Sequence, residues 1–231
     1  MLYNVEAMNV KTFAHNPVSV EMPDLKTDMS EGFRQYVVPS GGKYHSVTTV
    51  TGHKKNAFFA EWRRKHPKES RRVLNRGNKL HNAIEKYLNN EENFLDKLGP
   101  NEYILFEQLL PELNSIDNIT CQEVALWSDM LELAGRVDCI GEYNGKMSVI
   151  DFKGSTRNKR KEDIDNYFMQ ATAYAIMWQE MTGKPIDNIV ILIATEEGIP
   201  QVFEDKPNRY AKALLNAIRS YQEEMVINNE F

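Results

Sequence analysis

The sequence predicts an α/β protein, a mixed central sheet flanked by helices. Three observations carry this. Helical spacing of apolar residues dominates residues 55–114. Strand-like runs replace it from 118 to 154. A long helical segment, a short wholly apolar run and an amphipathic helix then close the chain.

Residues 1–46 read as an irregular N-terminal segment packed on the core. Within it, FRQYVVPSGGKYHSV (33–47) suggests two strand fragments around a turn at Ser40-Gly41-Gly42. The rest, 47–231, reads as a single domain. A first helix covers 55–66, and Pro67 stops it. A second covers 68–90, with Val73, Leu80, Ile84 and Leu88 at helical spacing. Gly99-Pro100 breaks the chain before a third helix at 101–114. Strands are predicted at 118–128, 131–143 and 146–154, and a helix at 163–182. NIVILIAT (188–195) is the continuous apolar run of a strand buried on both faces. A helix over 208–228 follows.

Of the 231 residues, 42% are apolar and 26% charged, the balance of a soluble globular chain. No apolar stretch reaches the ~20 residues that span a bilayer. The first residues lack the features of a signal or transit peptide, so a cytoplasmic protein is expected. Cys121 and Cys139 fall inside predicted strands among apolar neighbours and read as free thiols in a reducing compartment. Two cysteines cannot hold an iron–sulfur cluster, which usually takes about four.

Net charge is −5, but its distribution matters more. From Lys54 to Lys79 there are ten Lys/Arg against two acids, and RNKRK (157–161) is a second basic run. Arg63, Arg64, Lys68, Arg71, Arg72, Arg76 and Lys79 suit phosphate tracking, as do Arg157, Lys159 and Arg160. Tyr44 and Trp62 are near enough to stack bases. Phe58 and Phe59 are expected in the core.

One strand carries a chemical problem. In SVIDFKG (148–154), Asp151 and Lys153 leave on one face, with apolar facemates. Asn144-Gly145, just before it, is the strongest short hairpin signal. A two-residue turn there sets Tyr143 opposite Lys146, Asp138 opposite Asp151 and Arg136 opposite Lys153. Two carboxylates ~4.5–5.5 Å apart at Cβ repel unless a cation lies between them. Hard oxygen ligands select Mg²⁺, Mn²⁺ or Ca²⁺. The bland alternative is two edge charges on a solvated face. A bulge in either strand would break the pairing.

Asp138, then Asp151-x-Lys153, then Gln170-x-x-x-Tyr174 resembles the PD-(D/E)xK nuclease superfamily, in its RecB/Cas4-like branch. The group of mitochondrial genome maintenance exonucleases and their phage relatives is the most similar. HSVTTVTG (45–52), RGNKLHNAIE (76–85) and QEVAL (122–126) support the likeness, which spans residues 45–182. The cysteine count departs from the cluster-bearing members. Gly154 departs too, standing where relatives have Thr or Ser.

The resemblance implies a restriction-endonuclease-like αβββαβ core with N-terminal helical additions. It implies Mg²⁺ or Mn²⁺ held by Asp138, Asp151, the Phe152 backbone carbonyl and His81, with Glu123 as a further ligand or support. Lys153, Gln170 and Tyr174 complete the catalytic set. Arg136 either binds a phosphate oxygen or is a solvated strand charge. The expected activity is metal-dependent exonuclease action on single-stranded or end-exposed DNA, in phage or bacterial replication, recombination, repair or degradation. Proteins of replication or recombination are the expected partners, and no membrane is. The alternatives are a structure-specific endonuclease and a non-catalytic DNA-binding module.

Overall fold

The computed structural model describes residues 8–30 and 32–229. Residues 1–7 of the expected N-terminal segment lie outside that range. The strands are β1 (Lys26–Asp28), β2 (Gln35–Val37), β3 (Lys43–Ser46), β4 (Ile116–Ser128), β5 (Leu133–Tyr143), β6 (Lys146–Ser155), β7 (Asn188–Thr195) and β8 (Gln201–Asp205). The helices are α1 (Val47–Lys65), α2 (Pro67–Leu88), α3 (Pro100–Leu113), α4 (Asp165–Thr182) and α5 (Ala211–Asn229). None of them is long and apolar enough to cross a membrane.

The eight strands form one mixed sheet in the order β1-β2-β3-β5-β6-β7-β8, with β4 also on β5. β3/β5 and β6/β7 are parallel, and the other pairs antiparallel. Two helical layers cover it. On one face Leu80, Ile84, Phe106 and Leu109 of α2 and α3 pack on Ile150, Phe152, Val190 and Leu192. On the other, Val47, Phe168, Trp178 and Leu214 of α1, α4 and α5 pack on Val149, Ile189, Ile191 and Ile193. β7 therefore alternates between two cores, which is why all its residues are buried and its sequence lacks a polar face.

Three features differ from the sequence reading. α1 starts at Val47 rather than 55, although Val-Thr-Thr-Val-Thr is rich in β-branched residues. Burial of Val47 and Val50 against α4 and α5 outweighs the small propensity penalty. β8 was not expected. It is a five-residue edge strand whose first four residues alternate half-buried and exposed, with only Asp205 buried. Phe58 and Phe59 are not in the core. They are 66% and 44% exposed, edge-to-face at 5.4 Å. α1 buries only its first two turns, through His53; beyond them it is largely exposed, and α2 begins after the single residue His66.

The Asn144-Gly145 turn forms as read, both residues at positive φ (49° and 76°). Register holds from Tyr143↔Lys146 to Cys139↔Ile150 and stops there. β4 keeps one edge of β5 down to Leu133. On the other edge β3 takes over, pairing His45↔Leu133 and Ser46↔Ala134. That edge of β5 is thus shared, and Gly135–Asp138 has no strand partner on it. The expected facing pairs Asp138/Asp151 and Arg136/Lys153 lie past the end of the ladder, so they are not formed. The backbone N–H of Phe152 donates instead to the Asp138 carboxylate at 2.8 Å.

Candidate active site

Everything of chemical interest gathers at this fork. Glu123 stands beside it on β4 with φ 49°, a conformation rare for a side-chain-bearing residue. No β4–β5 pair forms at Glu123, and it is turned toward α2 together with Asp138. His81 on α2 completes a cluster whose ligand atoms, with those of Glu123 and Asp138, all lie within 4.8 Å of one another. His81 Nδ1 is 3.7 Å from Asp138 Oδ2. Its ring meets Phe152 edge-on at 6.5 Å, which links α2 to the core residue between Asp151 and Lys153.

Asp151 is not in that cluster. It is 2% exposed and shares a strand face with Lys153. The Lys153 ammonium stands 2.7 Å from both carboxylate oxygens. It donates to Oδ1, while Oδ2 is buried and receives no hydrogen bond. Lys153 also lies 5.3 Å from the ring centre of Tyr167 on α4.

The electrostatics are those of a site short of positive charge. Burial pushes the Asp151 carboxyl up to about 7, Asp138 adding to the shift and Lys153 opposing it. Burial likewise lifts Glu123 to about 7, helped by Asp138 and Glu85. Burial works against the Lys153 charge, but Asp151 and Asp138 outweigh it and hold the ammonium above its usual range. Crowded carboxyls and an imidazole fit a divalent cation with nitrogen and oxygen ligands.

Gln170 and Tyr174 share one face of α4, at i and i+4, and both line the same cleft. Tyr174 is 2% exposed, and burial followed by Asp138 and Asp151 raises its phenol well above the usual range. A Cβ on Gly135 would lie 2.8 Å from the Tyr174 hydroxyl, so the unpaired stretch of β5 has to carry a glycine there. A cleft of about 760 Å³ opens over the fork. His81, Glu123, Asp138, Lys153, Gln170 and Tyr174 are among its lining residues.

A family model for the PD-(D/E)XK nuclease superfamily matches residues 43–227. The chain belongs to the PD-(D/E)XK nuclease superfamily. It is 29% identical over 133 residues to the mouse protein named mitochondrial genome maintenance exonuclease 1, covering 55% of this chain and 39% of that one. To the human protein of the same name it is 32% identical over 136 residues, covering 55% and 38%. The chain thus spans about two-fifths of the length of these curated relatives. A crystal structure of a candidate exonuclease from Eubacterium rectale matches 67% of this chain and 66% of its own, at 13% identity and TM-score 0.46. That likeness is too partial to add to the family model.

The basic residues of this superfamily member divide into two groups. Arg63, Arg64, Lys68, Arg71 and Lys79 are exposed on α1 and α2, and Arg157 on the loop after β6, with Lys159 half-buried beside it. Others are engaged within the protein. Arg76, expected on the solvent face, is only 2% exposed and is paired with Glu196. The face of α2 that carries Arg76 and Leu80 lies against Gly154 rather than solvent. Arg72 binds Glu69 and Glu196, Arg160 binds Asp163, and Arg136 binds Asp24 and the Glu123 carbonyl.

Sequence reasoning missed three residues. Arg34, just before β2, lines the cleft from a segment too short and irregular to interpret. Tyr167 was within reach, since it precedes Gln170 by three residues and so shares its helix face. Glu196 gave no signal, because its partners lie far away in sequence.

Proposed function

We propose that the protein is a divalent-metal-dependent deoxyribonuclease, an exonuclease on single strands or free DNA ends. The observation that carries this is the convergence of His81, Glu123 and Asp138 beside the Asp151–Lys153 pair, in a cleft lined on one side by α2, the helix that also bears Lys68, Arg71 and Lys79. The names of the mouse and human relatives agree with exonuclease action and with a role in maintaining DNA.

His81, Asp138 and Glu123 would hold Mg²⁺ or Mn²⁺, with Asp151 and the Phe152 carbonyl beside them. The cation supplies Lewis-acid stabilisation of the phosphate when bound. The remaining work falls to the chain. Lys153, fixed by Asp151 and by the Tyr167 ring, directs its ammonium at the charge that grows on the phosphate as water adds and a P–O ester bond breaks. Tyr174 and Gln170 form the opposite wall and orient the strand. Arg63, Arg64, Lys68, Arg71, Lys79, Arg157 and Arg160 hold the backbone phosphates, and Trp62 with Phe58 and Phe59 offers rings for base stacking.

The test uses end-labelled linear single strands and a covalently closed circle of the same sequence, in Mg²⁺ and in Mn²⁺. Linear DNA should be shortened and the circle spared. Equal cutting of the circle would replace the exonuclease by an endonuclease. Asp151→Asn should abolish cleavage and leave DNA binding in Ca²⁺ measurable.

A further inference from the structure

Two guanidinium groups converge on a single oxygen of Glu196. Arg72 Nη1 reaches Oε1 at 2.8 Å, and Arg76 Nη1 meets the same atom. The carboxylate belongs to the turn that follows β7. Its own backbone N–H is tied to the Ser155 carbonyl at 3.1 Å, at the end of β6. The next residue, Glu197, receives the N–H of Asn158 in the basic loop at 2.8 Å. This short acidic turn therefore sits between the two basic elements assigned above to DNA.

A purely structural brace would satisfy the buried arginine. It does not. Arg76 Nε is buried with no acceptor, a costly omission for a charged donor. A Cβ built on Gly154, the residue after Lys153, would be 3.9 Å from that nitrogen. Gly154 has no side chain, so no side-chain atom of its own stands against Nε. A carboxylate has two oxygens and here engages Nη atoms alone. A phosphodiester has two free oxygens and two ester oxygens on a tetrahedral centre, which suits a guanidinium edge and a second arginine together. The Glu196 side chain is 34% exposed, and its turn contains Gly198 at φ 85°, so it can leave without disturbing the sheet.

We propose that Arg72, Arg76 and the bare backbone of Gly154 form a subsite for a DNA backbone phosphate next to the scissile centre, and that Glu196 occupies it in the absence of DNA as a phosphate mimic. This rests on the nuclease reading and adds a regulatory element to it. DNA entering the cleft displaces Glu196 and receives two arginines already oriented. A strand too short to reach the subsite leaves the carboxylate in place.

The experiment measures binding of a fluorescein-labelled oligothymidylate by anisotropy, in EDTA, over a series of KCl concentrations. Wild type is compared with Glu196→Gln, Arg72→Gln and the double variant, each checked by thermal melting. Glu196→Gln should bind about threefold to tenfold tighter, with a salt slope steeper by about 0.7, the value for one added single-strand phosphate contact. Arg72→Gln should remove that gain in the double variant. Gly154→Ser, whose hydroxyl reaches toward Nε, should weaken binding. If wild type binds and Glu196→Gln binds no tighter, Glu196 is a brace only and this inference falls while the nuclease reading stands. If wild type binds no DNA under any salt condition, both fall together.

Discussion

The carboxylate of Asp138 accepts a hydrogen bond from the backbone N–H of Phe152, at 2.8 Å, where β5 and β6 have just parted. A side chain thus takes the place of the next rung of the ladder. It holds the fork at a fixed width, keeps Asp138 turned to His81, and leaves the Phe152 carbonyl flanked by Asp151 and Lys153.

Gly135 and Tyr174 depend on one another. Gly135→Ala would push a methyl to 2.8 Å from the phenol oxygen and 3.0 Å from a ring carbon. Stability should fall by about 1–3 kcal/mol, as for other overpacked sites, and cleavage should fall with it. Adding Tyr174→Phe should restore part of the stability and none of the activity. Urea unfolding and a nuclease assay on the three variants check this.

Tyr167 should act through Lys153. A cation over an aromatic face contributes about 0.5–2 kcal/mol, so Tyr167→Leu should lower kcat by up to about thirtyfold with KM little changed. Tyr167→Phe keeps the ring and should stay within about threefold of wild type. Equal losses in both variants would reassign the effect to the hydroxyl.

The exposed rings of α1 should serve binding rather than folding. Phe58→Ser and Phe59→Ser should change unfolding free energy by less than about 0.5 kcal/mol, as exposed substitutions do. Each should weaken single-strand binding by about 1–3 kcal/mol if a base stacks on it. Anisotropy and thermal melting of the same samples separate the two effects.

Divalent metal should stabilise the fold through its site. At a concentration about a hundredfold above Kd, Mn²⁺ should add about 2.7 kcal/mol to unfolding. His81→Ala and Asp138→Asn should each remove most of that gain without abolishing folding. Melting temperature against Mn²⁺ concentration reads it directly.

Asp205, away from the site, sets an acid limit on stability. Its carboxylate accepts from Lys161 at 2.6 Å, from the Lys206 N–H at 2.8 Å and from the Tyr210 hydroxyl at 3.0 Å, and pairs with Arg209 at 3.0 Å. Burial works against the charge, but these partners outweigh it and bring the pKa from 3.8 to about 2. The folded-state value is depressed. The contribution, on the order of 2 kcal/mol, is therefore present above pH 3.8 and lost as pH falls toward 2. Asp205→Asn should be less stable than wild type at pH 6.5 and nearly equal to it near pH 2. Urea unfolding at both pH values tests this.

Much of this architecture was legible in the chain. Asn144-Gly145 specified the β5/β6 register, and β7 announced its double burial by having no polar face. The groups that the fold brings to the candidate site were legible where local spacing pairs them, as with Asp151-x-Lys153 and Gln170-x-x-x-Tyr174. What escaped depends on contacts distant in sequence. The edge of β5 beyond Cys139 is divided because β3, nearly a hundred residues earlier, pairs with Leu133 and Ala134 at its start. Arg76 is buried because Glu196 lies over it. Phe58 and Phe59 are exposed because nothing packs beneath the second half of α1, which their apolar character alone could not reveal.

The fork has a further consequence, for solubility. Unpaired strand edges recruit other chains and lead to aggregation. Here the open stretch runs only from Gly135 to Asp138, with β3 closing it at one end and β6 at the other. A docking strand of ordinary length, about five or six residues, does not fit. The open stretch beside the candidate site is therefore too short to serve as an edge on which an aggregate could grow.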